Sequence, residues 1–192
     1  MRALISVSLL FFTTLLEASV LLIPGGGPLP LAGTTAAAEA DLAGVVVHDA
    51  VHPFRIVNAA GALLFEGKLQ DRVVKSNRGG VLHFYSRIRD TTAGLNGIVD
   101  KVFRINFGVT PKVAVDWRSD GLGTVPPGFA SRSGGIGDAL AYWFAPGQIL
   151  VGGSESRFFF AKTRSTQYDL KGRTIIRLTT GDSVTLFSAR PL

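Results

Sequence analysis

Asp116 and Asp120 flank Trp117 at the mouth of a Gly- and Pro-rich stretch, and they are the best-placed carboxylate pair in the chain for acid–base work. A glycosidase needs two such groups at a set separation across a sugar ring. Hard oxygen ligands also suit calcium. However, Asp116-Trp117-Arg118-Ser119-Asp120-Gly121 lacks EF-hand spacing and carries an arginine inside it. Two aspartates in a Gly-rich loop also serve simply as turn formers.

Other nucleophiles and ligands are sparse. His48 and His52 stand four apart beside Asp49, but Pro53 and the strand pattern around them oppose the helix that would stack them, and H-E-x-x-H is absent. The third histidine is His83. Ser154 lies in Gly152-Gly153-Ser154-Glu155-Ser156, which misses the last glycine of G-x-S-x-G and has no helix after it. It reads as a turn opening the next strand. No cofactor, metal or catalytic set is assigned from the residues.

Binding residues are better represented. Trp117, Tyr142 and Trp143 carry amphipathic rings of the kind that stack on sugars. In Val81–Arg89, the period of two sends Leu82, Phe84 and Ile88 to one face and His83, Tyr85, Arg87 and Arg89 to the other. Tyr85, Arg87 and Arg89 then form an outward basic stripe, joined by Arg177 if the two strands share a sheet. With Asp116, Trp117 and Asp120 they make the candidate ligand-binding set. Such a surface suits an acidic polysaccharide or another polyanion of the envelope. The same pattern also describes the solvated face of an ordinary sandwich, with Trp143 and Phe144 in its core.

These residues need a frame. Helical periodicity is nearly absent after residue 40, and short alternating runs recur between Gly, Pro, Asn and Asp clusters. Strands are expected near Gly44–His48, Phe54–Asn58, Leu63–Gly67, Gln70–Lys75, Val81–Arg89, Val99–Phe107, Val113–Trp117, Ala139–Phe144, Ser156–Thr163, Thr174–Leu178 and Val184–Ser188. Turns are expected at Asn58–Gly61, Ser76–Gly80 and Thr180–Asp182. The stretch Asp116 to Asp138 is expected to be irregular and is the first place to look for a site. The fold class is all-β: a two-sheet antiparallel sandwich, Ig-like or jelly-roll-like.

The N-terminus has its own logic. A positive start (Met1-Arg2), an apolar run from Ala3 to Leu16, a second from Ala18 to Ile23, and A-x-A sites ending at Ala38 or Ala40 have the order of a secretory signal peptide. The longer run is short for a membrane span. Residues 1–40 are therefore expected to leave and 41–192 to form one domain, secreted, periplasmic or at the cell surface, without a membrane span. The chain has no cysteine and a formal net charge of +6. Disulfides and thiolate metal sites are excluded, while the charge favours anionic neighbours. Export and the lack of a recognisable module argue against nucleic acid.

Asp120-Gly121-Leu122-Gly123, Phe144-Ala145-Pro146-Gly147, Gly153 to Phe160 with Thr163, Tyr168 and Gly172, and the ending Phe187 to Pro191 resemble a broad group of uncharacterised exported bacterial β-sandwich proteins. Members often carry a PEP-CTERM sorting tail. No Pro-Glu-Pro motif followed by an apolar helix and a basic end occurs in this sequence, so that sorting route is not part of the expectation. The resemblance implies a sandwich and export, and no catalytic residues. Three functions stay open: an exported non-catalytic protein binding envelope or extracellular polymer, a carbohydrate-active enzyme or binding module, and a structural subunit joining through edge strands.

Overall fold

The computed structural model describes residues 19–107, 112–144 and 146–192. Residues 1–18, which hold the expected signal-peptide start and first apolar run, and Ala145 lie outside the described residues. The chain is all-β and forms two antiparallel sheets. Its strands are β1 (Val20–Leu22), β2 (Leu29–Pro30), β3 (Gly44–Val57), β4 (Leu63–Ser76), β5 (Leu82–Arg89), β6 (Ile98–Ile105) and β7 (Val113–Trp117), followed by β8 (Phe129–Arg132), β9 (Leu140–Trp143), β10 (Leu150–Val151), β11 (Phe159–Lys162), β12 (Tyr168–Leu178) and β13 (Ser183–Pro191). The first sheet runs β1-β7-β11-β5-β4-β3 and the second β13-β12-β6-β9-β8-β2, with β10 also pairing β6.

The two long hairpins follow from local chemistry. Asn58 turns β3 into β4: its Oδ1 accepts from the Ala60 and Ala62 amides at 3.0 and 2.9 Å, and Gly61 takes φ +82°. Each of these strands was expected as two shorter ones. β3 runs through Pro53 because it is an edge strand, where a missing N–H need not break the ladder. β4 runs through Gly67-Lys68 because it is paired on both sides. Alternation then points Phe65, Leu69, Val73, Phe84, Ile88 and Phe159 into the core between the sheets, against Val102, Leu140, Tyr142 and Ile176.

A charged pair also crosses that core. Asp71 on β4 meets Arg104 on β6 at 2.9 Å, with both side chains almost fully buried. Asp71 Oδ2 accepts from the Ala189 amide at 2.6 Å, and Arg104 donates to the Ala189 carbonyl at 2.6 Å and to the Ser86 hydroxyl.

The packed body begins before residue 41. β1 lies against β7 at one edge of the first sheet, and β2 lies against β8 at the matching edge of the second. The chain then returns to the first sheet, where Thr34 bridges to Arg118, and residues 35–43 pass to the start of β3 at its far edge. Leu22, Leu31 and Leu42 are buried on the way. The expected irregular stretch 116–138 is also partly ordered. It contains β8, and Val125 bridges to Ser156.

Candidate functional site

Cross-strand register fixes what lies together on the outer face of the first sheet. One row reads Asp116, Phe160, Tyr85, Arg72, Asp49 across β7, β11, β5, β4 and β3. A parallel row reads Ala114, Lys162, His83, Val74, Val46. The period of two thus places His83, Tyr85, Arg87 and Arg89 on one face, as the alternation requires. That face is not bare. Tyr85 is 3% exposed and Arg87 5%, so the outward basic stripe does not exist as expected. Leu42 and Ala36 lie over Val74, Tyr85, Phe158 and Phe160 in a second apolar cluster. Arg177 belongs to the other sheet, where it pairs with Asp100.

Arg87 forms an ion pair with Glu155, whose other oxygen accepts from the Asp90 amide at 2.9 Å. Arg89 is half-exposed, 3.4 Å from Asp90. Asp116 is 0% exposed and accepts from the Gly33 and Trp117 amides at 2.9 and 2.8 Å. Trp117 is partly buried against the core, with Arg157 5.6 Å from its ring centre. Gly33, at φ +85°, presses so close to the indole that a methyl group there would overlap the ring. Gly33 therefore covers part of the Trp117 ring, which stays partly exposed. Tyr142 is buried and donates to the Phe160 carbonyl at 2.7 Å, while Lys101 sits 3.5 Å over the Trp143 ring.

Among the openings at the surface, a cleft of about 270 Å³ is lined by Arg72, Val74, Tyr85, Arg118, Asp120, Gly121, Leu122 and Phe158. Two of the expected site residues, Tyr85 and Asp120, meet there, joined by six outside the candidate set, among them Arg72, Arg118, Leu122 and Phe158. Arg72 lies within the expected strand Gln70–Lys75, and the register places it beside Tyr85. Arg118 forks onto Asp120 through Nε and Nη2 at 2.7 and 2.9 Å. That bond raises the pKa of Arg118 and lowers that of Asp120, so both stay charged. Arg72 donates to Asp49 at 2.7 Å and holds its guanidinium 4.9 Å from the Phe158 ring centre.

The Tyr85 hydroxyl is buried beside the Arg118 guanidinium, which interacts with it by charge and as a hydrogen-bond donor. Burial pushes its pKa up to about 12, with the nearby Arg118 charge opposing that rise. It is a neutral polar group at the floor of the cleft. Tyr85 and Phe158 are buried and Arg72 lies over the Phe158 ring, so the rings back the cleft, and the groups that can meet a saccharide's hydroxyls or carboxylates are the guanidiniums of Arg72 and Arg118.

The other candidates resolve into turns and grooves. The Ser154 hydroxyl bonds to the Val151 carbonyl and amide at 2.7 and 3.0 Å, closing its own turn. His48 and His52 line a groove beside Leu170 and Phe187, while Asp49 is held by Arg72 and Gln70. Among the described residues, no three His, Asp or Glu side chains gather as a metal site requires.

Comparison with protein-family models, curated proteins and solved structures finds no match for this chain. The functional reading therefore rests on the cleft itself.

Proposed function

We propose that the protein is an exported, non-catalytic β-sandwich that binds an extracellular or envelope polymer, and that the cleft over Tyr85 and Phe158 receives a saccharide unit of it. One observation carries this reading: Arg72 and Arg118 line a cleft of about 270 Å³ beside the packed aromatic pair Tyr85 and Phe158. Each lining arginine is paired with one carboxylate, Arg72 with Asp49 and Arg118 with Asp120, so the preference for an acidic saccharide rests on the chain's net charge of +6. The resemblance to exported sandwich proteins supports the same placement outside the cell.

One further feature supports binding over turnover. The best carboxylate pair is already committed, Asp116 to backbone amides and Asp120 to Arg118. A general acid instead keeps a titratable proton facing its substrate. The test is titration of a soluble acidic oligosaccharide, such as an oligogalacturonate, into the purified full chain and its variants. Arg118→Gln and Leu122→Asp are expected to weaken binding about tenfold or more, with unfolding midpoints little changed. Unchanged affinity in both would remove the cleft from the account.

A second reading has its own observation. β3 is an edge strand of Gly44–Val57 on which Val45, Val46, Val47, Val51 and Val57 are exposed. A long apolar edge is a template for pairing with another strand, so this edge supports a self-associating subunit.

A further inference from the structure

The residues expected to leave with the leader do structural work, and this observation is independent of the cleft's ligand. Leu22 lies opposite Val113 across β1 and β7, and is 2% exposed. Leu31 donates its amide to the Gly128 carbonyl at 2.9 Å, and its side chain joins the main core. Thr34 gives its amide to the Trp117 carbonyl and takes the Ser119 amide, both at 2.9 Å. Gly33 supplies one of the amide bonds to buried Asp116.

The far half of the segment is fastened by charge. Glu39 binds Lys162 and accepts from the Ser19 amide and hydroxyl, and Asp41 meets Lys162 at 2.8 Å. The Asp41 carbonyl accepts from the Ser76 hydroxyl at 2.6 Å and lies 3.0 Å from His83 Nε2. Leu42 then covers Tyr85, Phe158 and Phe160. The Glu39 to Ser19 bonds are decisive, because they tie the two ends of this segment to one another.

We propose that residues 19–42 belong to the working protein as a strap closing one side of the sandwich, and that leader removal falls N-terminal of Ser19. A product beginning at Glu39 or Asp41 would expose the edges of β7 and β8 and uncover the core at Val113 and Ala130. It would also take from buried Asp116 one of its donors, the Gly33 amide, while the Trp117 amide stays. The A-x-A pattern at 36–40 arises from small residues packed in a tight turn, where Glu39 donates its amide to the Thr35 carbonyl at 2.9 Å.

The test is export of the full chain with a C-terminal tag from a secreting bacterium, followed by intact mass and N-terminal sequencing. The expected N-terminus is Ser19 or an upstream residue. A mature protein starting at Glu39, Ala40 or Asp41 would overturn the proposal. A second measurement compares thermal unfolding of the exported form with a chain started at Asp41. Loss of at least about 10 °C in midpoint, or failure to fold, is expected. Equal midpoints would overturn the strap role even if processing leaves the segment attached.

Discussion

Arg104 and Asp71 face each other between the two sheets, where an unpaired charge is costly. Removing one partner strands the other, so Arg104→Met is expected to lower the unfolding free energy by about 3–5 kcal/mol in denaturant titration. Replacing both, as Asp71→Leu with Arg104→Met, should recover much of that loss; no recovery would mean that the bonds to Ala189 and Ser86 carry the effect. This pair also marks the limit of reading residues one at a time. Alternation correctly separated Leu82, Phe84 and Ile88 from Tyr85 and Arg87, because side-chain direction is set by strand geometry alone. Whether a face meets water depends on what crosses it. Tyr85 and Arg87 are buried by Leu42, Phe158 and Glu155, which lie far away in sequence. Arg72 and Arg118 became site residues through register, which no local pattern encodes.

At the scale of elements, the strap is the least legible part of the fold and the most sensitive to pH. Its residues read as leader because small, apolar and Gly/Pro-rich runs serve both purposes, whereas the hairpins around Asn58–Gly61 and Gly181 were plain from turn chemistry. Burial works against the Glu39 and Asp41 carboxylates, but bonds to Lys162 outweigh it and hold both pKa values low. Burial also lowers the pKa of His83, against the pull of Asp41. All three groups bind protons more readily when the strap is released. Their contribution is present above their ordinary pKa values and is lost as pH falls through the lowered ones. Lys162 has the opposite sign: its raised pKa stabilises the strap at neutral pH and fails only in strong alkali. Proteolysis within 19–42 should therefore accelerate from about pH 5 downward. Lys162→Met should lower stability at pH 7 by about 1–3 kcal/mol and flatten the acid limb, as followed by thermal unfolding across pH. An acid limb as steep as in the unaltered chain would place the sensitivity elsewhere. The β3 edge gives an element-scale test of the subunit reading. If it joins copies, sedimentation should show concentration-dependent association that Val46→Lys abolishes; a monomer throughout would discard that reading.

For the whole molecule, two stacked sheets present one cleft where aromatic carbon, two guanidiniums and a buried tyrosine hydroxyl converge. A net charge of +6 draws anionic polymer toward that surface from beyond contact distance, and salt weakens this long-range part. The sandwich class was legible from alternating runs and turns, since those patterns need no knowledge of partners. The cleft was only partly legible, because it forms where register and the turn after β7 bring residues 72, 85, 118 and 158 together. The most direct measurement is binding of the purified full chain to immobilised neutral and acidic glycans at low and at physiological salt. The account predicts retention on acidic glycans, several-fold weaker at the higher salt and lost in Arg118→Gln. Absence of binding to every acidic glycan at low salt, or binding indifferent to Arg118, would contradict it.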